Sequence, residues 1–250
     1  MVHLSWYSLR QYFKYDESEL RALGAMSVIF AFILSFDQWG VGSFQFLTGI
    51  KNFVIALIIV GASVLIHDTA HRLLAIKMGY AAKVKMWWYG LLFCLLVVFA
   101  TNGAVKLFVG CSIWFTYIAA RRLTKFEYYY APKHLALMAM GGPAANLLFA
   151  GVIRSLAGYL PLNPEAVNDL VYFNVVYGVL SFLPIPPLHG SKFFFYGRLA
   201  YVFVAAAMLG YTLLHLLGYP SMLISLILGM GAWIWWWSKG EGELEFGKYK

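Results

Sequence analysis

Apolar residues recur along this chain in runs of about twenty, near 22–37, 52–79, 134–158, 169–184, 198–218 and 220–237. A helix needs about 20 predominantly apolar residues to cross a bilayer. Backbone groups in lipid must find their hydrogen bonds within the segment, so runs of this length fold as helices. Composition agrees, with 62% of the 250 residues apolar and 12% charged, whereas a soluble domain carries about 25% charged residues. The expected fold is an all-α integral membrane protein, a polytopic bundle of six to seven transmembrane helices. The region 87–119 is also apolar, but Asn102, Gly103, Lys106 and Gly110 interrupt it. It reads as one irregular span, two short ones, or a re-entrant stretch with a short β element between 83 and 110. The last arrangement requires protein or a water-filled cavity around the backbone.

The net charge of +8 does not form the continuous basic stripe that binds nucleic acid, so no nucleic-acid partner is expected. The basic residues gather instead at the ends of apolar runs. With a cytoplasmic N-terminus, the outward connections 38–51 and 159–168 and the turn at 219 hold only Lys51. The inward ones hold Lys77, Lys83, Lys85, Arg121, Arg122, Lys125, Lys133, Lys192 and Lys239. The positive-inside rule then makes both termini cytoplasmic. Residues 1–21 read as an amphipathic surface segment capped near Asp16, 22–237 as the transmembrane domain, and 238–250 as a cytoplasmic tail. Membrane lipid is the surrounding partner, and Trp87-Trp88-Tyr89 and Trp235-Trp236-Trp237 suit its interfaces. Cys94 and Cys111 lack metal-ligand spacing and read as packing residues. Arg154 and Asp169 could pair near the outer boundary.

Within the second run stands His67-Asp68-Thr69-Ala70-His71. A charge at mid-membrane costs on the order of 2.5–3.5 kcal/mol on insertion scales, which makes ionisable residues there functional candidates. Positions i and i+4 share one helix face, so His67 and His71 can offer two imidazoles to one ion, with the Asp68 carboxylate beside them. This is the spacing of the zincin signature H-E-x-x-H, with Asp in place of Glu. The plainer alternative is a pair of hydrogen-bonded core histidines.

Far downstream, Pro184, Pro186 and Pro187 end a helix just before His189-Gly190. A loop histidine there can add a third ligand, and three protein ligands plus an open position define a catalytic zinc site. Between these motifs lies Gly141-Gly142-Pro143-Ala144-Ala145-Asn146. Its small residues serve close helix packing, or else Pro143 frees a carbonyl and Asn146 donates hydrogen bonds beside the site. His3, His134 and His215 read as structural.

In this order the motifs resemble those of the site-2 protease family of intramembrane zinc metalloproteases, which carry H-E-x-x-H, then G-P-x-x-N, then N-x-x-P-x-x-x-L-D-G. The similarity covers about residues 50–195 and is most specific over Leu183 to Gly190. The compact layout looks like that of archaeal members and implies a plasma-membrane protein. The resemblance implies one Zn²⁺ ion held by His67, His71 and His189, with Asp68 as the catalytic base. It implies that Asn146, Pro143 and Ser181 position substrate, a membrane-embedded helix locally unwound at the metal. Strand pairing in the 83–110 region could hold that substrate.

Three departures fall on the chemistry. Asp68 replaces Glu and is shorter by about one C–C bond, near 1.5 Å. His189 replaces Asp as third ligand, and Ser181 replaces Asn. They leave a second expectation open: a catalytically weak or inactive relative that acts as a binding or assembly subunit in a membrane complex.

Overall fold

The protein, seen as a computed structural model, is described over residues 10–40, 43–118, 132–159, 161, 163–216 and 222–238. His3, Arg121, Arg122, Lys125, the turn at 219 and the tail from Lys239 lie outside the described residues.

Helix α1 spans Glu17–Leu34 and α2 spans Phe46–Met78. Strand β1 (Tyr80–Met86), helix α3 (Trp88–Ala100) and strand β2 (Cys111–Tyr117) follow. Then come α4 (Pro132–Leu156), α5 (Pro164–Ser181) and the short α6 (His189–Phe194). The described chain ends with α7 (Arg198–Leu216) and α8 (Met222–Trp236). Among the described residues the fold is mostly helical with one two-stranded sheet.

Among the described residues two helices, α2 and α4, are long and apolar enough to cross a membrane, and α3, α7 and α8 contain shorter apolar stretches. With 33 residues, α2 rises about 50 Å, well beyond a hydrocarbon core of about 30 Å. The remaining expected spans differ for a physical reason. Helix α1 carries Glu17, Glu19 and Arg21 in its first turns, and α5 carries Glu165 and Asp169. Large apolar side chains are exposed along α2, α3 and α8, among them Ile58, Leu65, Phe93, Phe99, Ile227 and Trp235. An apolar exterior of this extent suits contact with a membrane.

The boundary expected at 21/22 falls inside α1, which runs unbroken across it. The helix is capped where the sequence suggested: the Asp16 N–H donates to Glu19 Oε2 at 3.0 Å, one half of a capping box. The extended element also lies differently from the expected 83–110 interval. Strand β1 (80–86) overlaps the start of that interval, β2 (111–117) lies just past its end, and α3 fills most of the space between them. Gly79, with φ +84°, closes α2 in a left-handed conformation and turns the chain into β1. The strands pair antiparallel from Tyr80↔Tyr117 to Met86↔Cys111. Ile113 and Phe115 point inward while Trp114 and Thr116 face outward, the period-two alternation of a half-buried strand.

Aromatic side chains knit the bundle together. Phe30 of α1 packs on Phe108 and on Tyr177 of α5 with ring centroids 5.5 and 5.6 Å apart. The isolated Lys106 is not unpaired: it donates to Asp37 Oδ1 at 2.6 Å and to the Leu34 carbonyl at 2.8 Å, closing the end of α1. Arg154 and Asp169 do not pair. Arg154 donates to Asn168 Oδ1 at 2.9 Å, and Asp169 accepts from Gln38 Nε2 at 3.0 Å.

Candidate metal centre

Helix α2 delivers His67 and His71 one turn apart on one face, and their Nε2 atoms lie 3.2 Å from each other. The prolines after α5 end that helix and reverse the chain, so that α6 begins at His189. Its ring lies 5.2 Å from that of His67 and 4.6 Å from that of His71. One ligand atom from each of the three residues falls within 4.8 Å of the others. All three rings are buried.

These residues fit a zinc ion on several counts. Ligands at 2.0–2.1 Å in a tetrahedron stand about 3.3 Å apart, close to the separation of the two Nε2 atoms. His71 Nδ1 donates to the Met138 carbonyl of α4 at 2.6 Å. That bond fixes the tautomer and leaves the Nε2 lone pair for a metal. A Cβ built on Gly142 would lie 2.6 Å from His67 Nε2 and closer still to His71 Nε2. The absent methyl thus leaves a cradle at ligand distance from both rings. Finally, His67 Nδ1 and both ring nitrogens of His189 are buried without hydrogen-bond partners, and an unpartnered buried polar group costs about 1–3 kcal/mol. Imidazole is also an accepted zinc ligand.

The adjoining flank of α2 is built differently. Asp68 Oδ2 accepts from Arg72 Nε at 2.6 Å, and Arg72 Nη2 donates to Glu19 Oε1 at 2.7 Å. Glu19 Oε1 also accepts the Val84 N–H of β1 at 2.8 Å. Arg72 Nη1 donates to the carbonyls of Lys14 and Ala82 at 3.0 and 3.2 Å, and its guanidinium lies 4.1 Å from the centroid of the Tyr15 ring. All three charged side chains of this network are buried. Burial and the Asp68 carboxylate beside it push the Tyr15 phenol above its usual value. Asp68 Oδ1 is buried and takes no hydrogen bond.

The other anticipated residues divide. Asn146 is fully buried one turn beyond Gly142, and neither of its amide atoms has a hydrogen-bond partner within 3.5 Å. Pro143 removes the N–H that would reach Ala139. The carbonyl that serves the site is that of Met138, one residue earlier. Ser181 turns its hydroxyl back to the Gly178 carbonyl at 2.9 Å. His134 Nδ1 lies 3.4 Å from the Tyr80 hydroxyl, a structural contact as expected.

Sequence reasoning missed Gly142 as the cradle, Arg72 and Glu19 as partners of Asp68, and Tyr177, whose ring lies 4.6 Å from that of His67. It also missed Lys192, which donates to the Ile113 carbonyl of β2 and ties α6 to the sheet. Arg72 carried a readable signal, since a carboxylate and a guanidinium four apart on a helix face each other.

Against known proteins the chain has an informative likeness. It is 26% identical over 209 residues to a protein of Methanocaldococcus jannaschii named "Putative zinc metalloprotease MJ0611". The match covers 80% of this chain and 96% of that protein. The chain is related to that archaeal protein. No family model and no solved structure matches it.

Proposed function

We propose that this protein is a zinc metallopeptidase of the membrane that cleaves peptide bonds in membrane-embedded helices, as site-2 proteases do. The convergence of His67, His71 and His189 from two distant stretches onto one buried point carries this reading. The name of the archaeal relative and the Asp68 carboxylate next to His67 support it. A zinc ion held there would polarise a peptide carbonyl and lower the pKa of a water molecule.

The chain's own residues supply the rest. Imidazoles 67, 71 and 189 bind the ion, and the Met138 carbonyl orients His71. Asp68 takes a proton from the attacking water and returns it to the leaving amine. Asn146, Pro143 and Ser181 flank the substrate, with the unpartnered Asn146 amide ready to hydrogen-bond an unwound backbone. The Ile113 carbonyl is engaged by Lys192 of α6, so this edge of β2 turns toward the metal loop. An extended substrate would add as a strand along it. Both termini are taken as cytoplasmic in a multi-pass plasma-membrane protein.

The test is metal analysis of the purified protein followed by cleavage of a model transmembrane peptide. We expect close to one equivalent of zinc, turnover by the native chain and a loss of about 10²–10⁴-fold in Asp68→Asn. His67→Ala should lose zinc and turnover together. Zinc below about a tenth of an equivalent would overturn the metal site, whose ligands should bind tightly once deprotonated. Full zinc without cleavage would instead leave a metal-holding subunit of a membrane complex.

A further inference from the structure

Resting on the hydrolytic reading above, we propose that Arg72 is a positioning residue that holds Asp68 for proton transfer, and that Glu19 and β1 hold Arg72 in turn. The two oxygens of Asp68 are unequally treated. Oδ2 is bound to Arg72 Nε at 2.6 Å, whereas Oδ1 is buried with no partner. A carboxylate placed only to complete an ion network would use both oxygens, because buried acceptors are almost always satisfied. The spare oxygen keeps acceptor capacity for a proton.

The clamp also answers the shortness of the side chain. A base must come within about 2.6–3.2 Å of the proton it takes. Asp reaches about 1.5 Å less far than Glu, so a wandering Asp carboxylate would seldom be in range. Arg72 removes that freedom and is itself immobilised. Its remaining hydrogen bonds run to the carbonyls of Lys14 and Ala82 and to Glu19 Oε1, and its planar face lies on Tyr15. Glu19 Oε1 accepts the Val84 N–H as well. The orientation of Asp68 is therefore tied to the N-terminal segment, to α1 and to β1. A planar guanidinium can bridge these groups at once, which a lysine ammonium cannot.

The test uses full-length protein loaded with Co²⁺ in place of zinc, whose visible absorption reports the surroundings of the ion independently of turnover. Asp68→Asn should alter the bands without reducing the cobalt bound. Arg72→Lys should bind the same amount of cobalt, shift the bands in the direction of Asp68→Asn, and lower peptide cleavage by about 10–100-fold, as loss of an outer partner does. In the Asp68→Asn background the same Arg72→Lys change should alter cleavage by less than about threefold, because coupled residues do not add.

Unshifted bands in Arg72→Lys, or an equal loss of cleavage with and without Asp68→Asn, would overturn the proposal. Should Arg72→Lys fail to fold, Glu19→Gln takes its place, with a smaller shift in the same direction expected and no shift counting against. Shifted bands with no cleavage by any variant would uphold the coupling of Arg72 to Asp68 and overturn the hydrolytic reading instead.

Discussion

Two flanks of the same turn of α2 are equally buried and yet opposite in character. On one, Arg72 makes four hydrogen bonds, to Asp68, Glu19, Lys14 and Ala82. On the other, three ring nitrogens of His67 and His189 have no partner, and His71 alone is anchored, to Met138. Burying a polar group without a hydrogen bond is unfavourable. A fold that gives Arg72 four partners and leaves only Asp68 Oδ1 spare on that flank does not leave the next one open for want of polar groups. We read the open flank as a ligand site and the closed flank as the frame that holds it.

The largest expected effect breaks the closed flank. Arg72→Met would leave two buried carboxylates unpaired, and we expect a loss of about 3–5 kcal/mol in unfolding free energy, read by denaturant titration in detergent. A loss below about 1 kcal/mol, the scale of surface pairs, would mean that the flank is not the frame.

The open flank should behave in the reverse sense. His189→Leu removes two unpartnered buried nitrogens, so the metal-free protein should gain about 1–3 kcal/mol. The same variant should lose the rise in melting temperature that added zinc gives the native chain through linkage. Destabilisation of the metal-free variant would erase the contrast between the two flanks.

The smallest effect lies at the rim of the frame, where Lys83 of β1 pairs with Asp16. The hydrogen-bonded Lys83 ammonium holds the Asp16 carboxyl below its ordinary 3.8, and Asp16 holds Lys83 above its ordinary 10.5. A lowered acid contributes above its unfolded pKa and loses that contribution as pH falls through the folded one. A raised base contributes fully below its unfolded pKa and loses it as pH rises through the folded one. Amide protection of residues 80–86 should therefore stay level between about pH 5 and pH 10 and fall slightly outside that window. Asp16→Asn should remove the acid limb. An unchanged acid limb in that variant would show that the pair does not seat the hairpin.

Some of this protein follows from the order of its residues alone. Apolar runs become helices in an apolar medium because their backbones must bond internally, and the six helices expected from those runs are all present. How many stand as full spans is not written in the runs, because α1 and α5 begin among charged residues whose depth depends on their partners. The pairing of His67 with His71, and of Asp68 with Arg72, is local helix periodicity and lies in the sequence for anyone who reads four residues ahead.

His189 is different, since it stands 118 positions beyond His71 (189 − 71). Only the packing of α4 and α6 against α2 brings its ring to 4.6 Å from that of His71. The same holds for Gly142, whose missing methyl makes a cradle only because α4 crosses α2 at that residue. It holds for Glu19 as well, which is an ordinary capping residue until α1 lays it on Arg72. Periodicity acts over a few residues, whereas a metal centre needs side chains from separate helices within a few ångströms, and that distance is set by the packed bundle alone.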